Sequence, residues 1–162
     1  PEYHMQCNVL DVLDQGWDMM IGFPPCDHLA VSGARWFPEK RADGRQQQGV
    51  GLFLALAHAP IPKVAIENPV GIMSTLWRKP DQIITPYMFG HDASKKTCLW
   101  LKGLAPLKPT EMVAPRIVDG KKRWGNQTDS GQNKLAPSAD RWKIRSETYK
   151  GIAEAMASQW GI

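Results

Sequence analysis

The stretch WDMMIGFPPCDHLAVSGARW, residues 17–36, decides how the rest of the chain is read. Its short apolar run, Met19, Met20 and Ile21, ends at Gly22 and breaks at Pro24 and Pro25. That pattern predicts a buried strand which the backbone leaves abruptly at Cys26. A thiol delivered to the carboxyl end of a strand lies where open α/β sheets bind their ligands. Cys26 is therefore a candidate nucleophile. The Pro-Pro-Cys tripeptide alone is weak grounds, because buried cysteines are mostly inert packing residues.

Downstream, Val50, Phe53, Leu54 and Ala57 fall at helical spacing within residues 45–59, and Pro60 and Pro62 end that run. Residues 63–66, KVAI, then read as a second buried strand stopping at Glu67-Asn68-Pro69. Strand, helix, strand makes a parallel βαβ unit with a right-handed crossover. Its two strand ends would bring Cys26 and Glu67, 41 positions apart, to one edge of a sheet. A carboxylate is costly to bury there unless it is paired or used. A helix-capping or surface carboxylate is the plain alternative.

The remaining segments are read from the same signals. Residues 4–13 fit a short strand followed by a turn of helix, and residues 28–37 an ordered loop closed by Pro38, with residues 39–45 exposed. Two β-rich runs, residues 83–89 and 97–101, suggest a hairpin. Residues 103–142 keep no period and hold four prolines and four glycines, the mark of a functional irregular segment. The chain closes on an amphipathic helix with Tyr149, Ile152, Met156 and Trp160 on one face, Ser146 as N-cap and Gly161 as stop.

At 162 residues and 43% hydrophobic, the chain suits one domain with a real core. The reading divides it into a βαβ core (residues 1–94), a basic hairpin with an irregular substrate-side segment (95–145) and the closing helix (146–162). No run of eighteen apolar residues and no signal peptide is visible, so the expectation is a soluble intracellular protein. Cys7, Cys26 and Cys98 lack CxxC spacing, which indicates neither a disulfide framework nor a zinc site. The net charge of +4 hides a segregation. Residues 1–94 carry 7 basic and 10 acidic side chains, residues 95–150 carry 13 and 5. Such a basic half suits a polyanion such as nucleic acid, with a solvated face as the bland alternative.

FPPC after one strand and ENP after the next resemble the catalytic motifs of the cytosine-5 DNA methyltransferases. The wider pattern, WDMMIGFPPCDHLAVSGARWF with AIENPVGIMSTLWRKP, is similar to small methylase-like proteins of phages, and the likeness runs through KKTCLWLKGL to GIAEAMASQWG. The resemblance implies an α/β domain with a truncated Rossmann-like methyltransferase fold, a mostly parallel sheet with a C-terminal hairpin and a closing helix. It also implies a chemistry. The cysteine matching Cys26 attacks C6 of a cytosine flipped out of the duplex, and the glutamate matching Glu67 holds and protonates N3. C5 then becomes nucleophilic toward the methyl group of S-adenosylmethionine. Pro24, Pro25, Asn68 and Pro69 would shape the pocket.

Lys95-Lys96-Thr97 is the nearest match to the family's basic motif beside base and phosphate, and two exposed lysines at a hairpin tip are its alternative. Trp100, Trp124 and Trp142 are candidates for stacking on bases, with core packing as their alternative. A Cys26–His28 hydrolase pair ranks low, since neighbouring loop positions rarely orient base and nucleophile together. For the cofactor, Asn8 and Phe23 are the residues on offer. The family's glycine-rich turn and acidic-ended second strand have no counterpart in the 16 residues before Trp17. The S-adenosylmethionine site is thus expected to be incomplete in this chain, as in a fragment or a degenerate member. DNA is the expected partner, self-association is left open, and the expected setting is the cytosol of a bacterium or of a phage-infected host. A non-catalytic nucleic-acid-binding or interaction protein derived from such an enzyme is the alternative function.

Overall fold

The computed structural model describes residues 4–161, without the side chain of Trp142. The apolar run ending at Gly22 forms strand β1 (Met19–Gly22). A 3-10 helix over Val31–Trp36 leads into helix α1 (Phe37–Ala42), and α2 (Arg45–Ala57) follows. Pro38 sits in the first turn of α1, where its missing N–H costs nothing, so it starts a helix instead of closing a loop. Strand β2 (Lys63–Pro69) runs parallel to β1, with Met19 opposite Lys63 and Gly22 opposite Ile66. The expected strand–helix–strand unit is present.

Helix α3 (Met73–Leu76) is a single turn, and β3 (Gln82–Ile84) is far shorter than residues 83–89. Pro86 turns the chain into a 3-10 helix, Pro86–Met88. Strand β4 (Thr97–Lys102) then inserts between β2 and β3, giving the order β1-β2-β4-β3. It lies antiparallel to β2, with Glu67 opposite Leu99 and Asn68 opposite Cys98. The sheet is therefore mixed, not mostly parallel. Residues 4–8 form no strand, and the first element is a 3-10 turn, Val9–Asp11, capped by Asn8.

Contacts divide the chain into two compact units, one running to Ile83 and including Thr97–Leu104, the other made of Ile84–Lys96 and the chain from Ala105 onward. In the first, Phe53 and Leu56 of α2 pack on Val64, Ile66 and Trp100, with Leu29, Met73 and Cys98 in the same buried cluster. Fully burying a side chain such as Phe53 contributes about 1.5–3 kcal/mol. Trp100 meets Phe53 edge to face at 5.1 Å and donates its indole N–H to the Arg78 carbonyl at 2.9 Å.

The second unit contains a hairpin that the irregular composition of residues 103–142 concealed. Strands β5 (Arg116–Val118) and β6 (Lys121–Arg123) pair antiparallel. Asp119 and Gly120 both adopt positive φ between them, as a two-residue hairpin turn requires. Helix α4 (Arg141–Ser146) ends at Ser146, so that residue is not the N-cap of the closing helix. Helix α5 (Lys150–Trp160) starts after Tyr149, buries Ile152, Met156 and Trp160 as expected, and stops at Gly161. Among the described residues no helix is long and apolar enough to cross a membrane.

Candidate functional site

The parallel register brings the two motifs to the same end of the sheet. Gly22 is the last β1 residue paired with β2, and a Cβ there would already touch Leu56 at 3.5 Å. Phe23 to Cys26 then leave the sheet, while β2 continues through Glu67, Asn68 and Pro69 on the strength of its second neighbour, β4. The ENP motif is thus the last segment of the strand and not the loop after it. Asn68 is buried, and its side-chain amide donates to the Pro24 carbonyl at 2.9 Å. One hydrogen bond, spanning 44 positions, joins the two motifs.

The segment after Cys26 is laced to the segment after Pro69. The Cys26 carbonyl accepts from the N–H groups of Leu29 (3.0 Å) and Ala30 (2.8 Å), which turns the chain directly behind the half-buried thiol. Val31 then donates to Val70, and Ile72 to Leu29, both at 3.0 Å. Gly71 is required between them, because a Cβ would fall on the Leu29 carbonyl oxygen. From the other side, Gln46 of α2 donates to the His28 carbonyl at 3.2 Å, and a Cβ on Gly49 would lie only 3.4 Å from the His28 and Leu29 side chains. Lys40 donates to the Asp27 carbonyl. His28 itself pairs with Asp27 at 3.3 Å.

Glu67 is half-buried. Its charge is felt at Cys98, whose thiol is pushed up first by burial and second by this carboxylate. Cys98 is therefore a protonated core thiol, whereas Cys26 is the partly exposed one at the sheet edge. A soft nucleophile and a carboxyl group at the ends of adjacent strands can together add to an electron-poor ring and neutralise the charge that forms, provided the carboxyl carries the proton in that step.

Of the other candidates, Pro24 is buried, Pro25 exposed and Pro69 half-buried opposite the buried Thr97. Lys95 and Lys96 belong to the second unit, where the Lys95 ammonium donates to the Arg145 carbonyl at 2.8 Å. Trp100 is a core residue and cannot stack on a base. Trp124 stacks face to face on Tyr87 at 4.1 Å, and the Trp142 side chain lies outside the described residues. Asn8 is exposed and uses its side-chain oxygen to accept from Leu10 N–H at 3.2 Å.

Sequence reasoning missed Gln46, Gly49 and Gly71 as anchors of the Cys26 loop. Only the third had a visible signal, a glycine two residues after a strand. No family model, no curated protein and no solved structure matches the chain.

Proposed function

We propose that this chain is a DNA cytosine-5 methyltransferase-like protein in which Cys26 adds to C6 of a cytosine and Glu67 holds and protonates N3. The observation that carries the reading is the buried Asn68–Pro24 hydrogen bond, which ties the segment leading to Cys26 to the strand that carries Glu67. In the step so read, the Cys26 thiol gives its proton to water and the thiolate forms a bond to C6 as the ring π electrons move toward N3. N3 takes the proton from the Glu67 carboxyl, leaving C5 electron-rich. On this reading the mixed sheet is a truncated Rossmann-like methyltransferase sheet, and the base must leave any duplex to reach Cys26.

S-adenosylmethionine is the methyl donor that the reading implies. The two residues offered for it fit poorly. Asn8 spends its side-chain oxygen on its own 3-10 turn, and Phe23 is 50% exposed. The steps that this chain's own residues support therefore stop at addition to C6 and protonation of N3.

The test is an oligonucleotide with 2-pyrimidinone in place of cytosine, which accepts a thiolate at C6 without methyl transfer. The wild-type chain is expected to form a covalent adduct with the combined mass. Cys26→Ser should abolish the adduct, and Glu67→Gln should slow it by about 10²-fold or more. An adduct retained in Cys26→Ser removes the proposed role. DNA binding without any adduct would favour the second reading, a non-catalytic nucleic-acid-binding protein, which the surplus of 12 basic over 7 acidic side chains in the second unit supports.

A further inference from the structure

In the β5–β6 hairpin, four of six strand residues are basic, and Arg116 faces Arg123 directly across the ladder. Like charges so placed disfavour pairing. The loop beyond β6 relieves them. The Arg116 guanidinium pairs with the Asp129 carboxylate and donates to the Gln127 carbonyl at 2.6 Å, and Arg123 donates to the Asp129 carbonyl at 2.9 Å. That first bond holds the Asp129 carboxyl below its ordinary range. The two arginines are thereby spent on bracing the base of the hairpin.

The tip is different. Among the described residues no carboxylate pairs with Lys121 or Lys122, and both are exposed. By strand alternation they project from opposite faces. Lys122 shares its face with Ile117, which stands opposite it and is 63% exposed. An uncovered apolar residue beside an unpaired ammonium group makes a surface that is both apolar and cationic, and the surroundings give the charge of a partner that would fit it. The unit that carries the hairpin holds 12 basic against 7 acidic side chains.

We infer that the β5–β6 ribbon enters the major groove of duplex DNA, with Ile117 against base edges, Lys122 beside it and Lys121 on the other face, each lysine reaching a phosphate along its long stem. The inference rests on the DNA reading above and names the element that grips the duplex. A two-stranded ribbon with strands about 4.8 Å apart and side chains on both faces matches a groove about 12 Å wide, and not a minor groove of about 6 Å. The deep, narrow major groove of an RNA duplex excludes it.

The test uses the full chain and a labelled DNA duplex, followed by fluorescence anisotropy across about 50 to 200 mM salt. Lys121→Ala with Lys122→Ala should reduce the magnitude of the salt slope by about 2, since each phosphate contact contributes about 0.9. Ile117→Ser should weaken binding several-fold at unchanged slope, because an apolar contact releases no counterions. An RNA duplex of the same sequence should bind more weakly than DNA. The paired Lys121→Gln and Lys122→Gln variant, with circular dichroism as control, answers the same question should the alanine variant misfold.

An unchanged slope in the lysine variants, an unaffected Ile117→Ser, equal affinity for the two duplexes, or no duplex binding at all would overturn the inference. The two readings fail separately. A reduced slope in a chain that forms no adduct keeps the ribbon and removes the Cys26 chemistry, while an adduct with an unchanged slope does the reverse.

Discussion

Asn68 concentrates the first unit's specificity in one amide. Its N–H₂ group donates to the Pro24 carbonyl inside the core, and Pro24 has no N–H of its own to offer the ladder. Asn68→Ala would leave that carbonyl unsatisfied, at a cost of about 1–3 kcal/mol, read as a lower urea midpoint. Asn68→Asp should be worse at neutral pH, where a carboxylate faces the carbonyl with no proton to share. The introduced carboxyl regains a donor when protonated, so that variant alone should recover stability as the pH is lowered. A midpoint equal to that of the wild type in both variants would remove Asn68 as the link. The strands that lead to Cys26 and Glu67 were legible because each is an apolar run. The Asn68–Pro24 bond was not, because nothing in either segment specifies a partner 44 positions away.

Among the elements, those with a strong period were read correctly and those set by turns or context were not. Phe53 and Ile152 declare their helices. Pro38 was read as a break and Pro86 as part of a β-rich run, although proline also begins helical turns, as both do here. The hairpin was hidden because Lys121-Lys122-Arg123 has no apolar alternation, yet Asp119-Gly120 carried the signal of a tight turn. Helix α5 supplies a test of context against propensity. Gly151 donates its N–H to His91 Nε2 at 2.9 Å, and a Cβ on it would fall on the Phe89 carbonyl oxygen. Alanine gains about 1 kcal/mol over glycine in an unhindered helix. The backbone clash opposes this with an overpacking cost of about 1–3 kcal/mol. Gly151→Ala should therefore lower the melting temperature; a higher one would mean that the helix docks with room to spare.

At the scale of the whole chain, the segregation of charge was legible from counting alone, while the division into two units was not, since it depends on where the chain goes after Ile83. Titration calorimetry should find S-adenosylmethionine binding weaker than micromolar, as Asn8 and Phe23 stand exposed. Micromolar or tighter binding would mean that the chain completes a pocket by other residues. The path through the sheet carries a consequence for biosynthesis. Strand β2 lies between β1 and β4, but β4 follows it by way of 13 residues, Ile84–Lys96, that belong to the other unit. A nascent chain leaving the ribosome amino end first therefore presents Val64 to Pro69 with one flank bare until β4 emerges. That bare flank is a template for mispairing, and a chaperone holding the growing polypeptide would find its most vulnerable client in this interval.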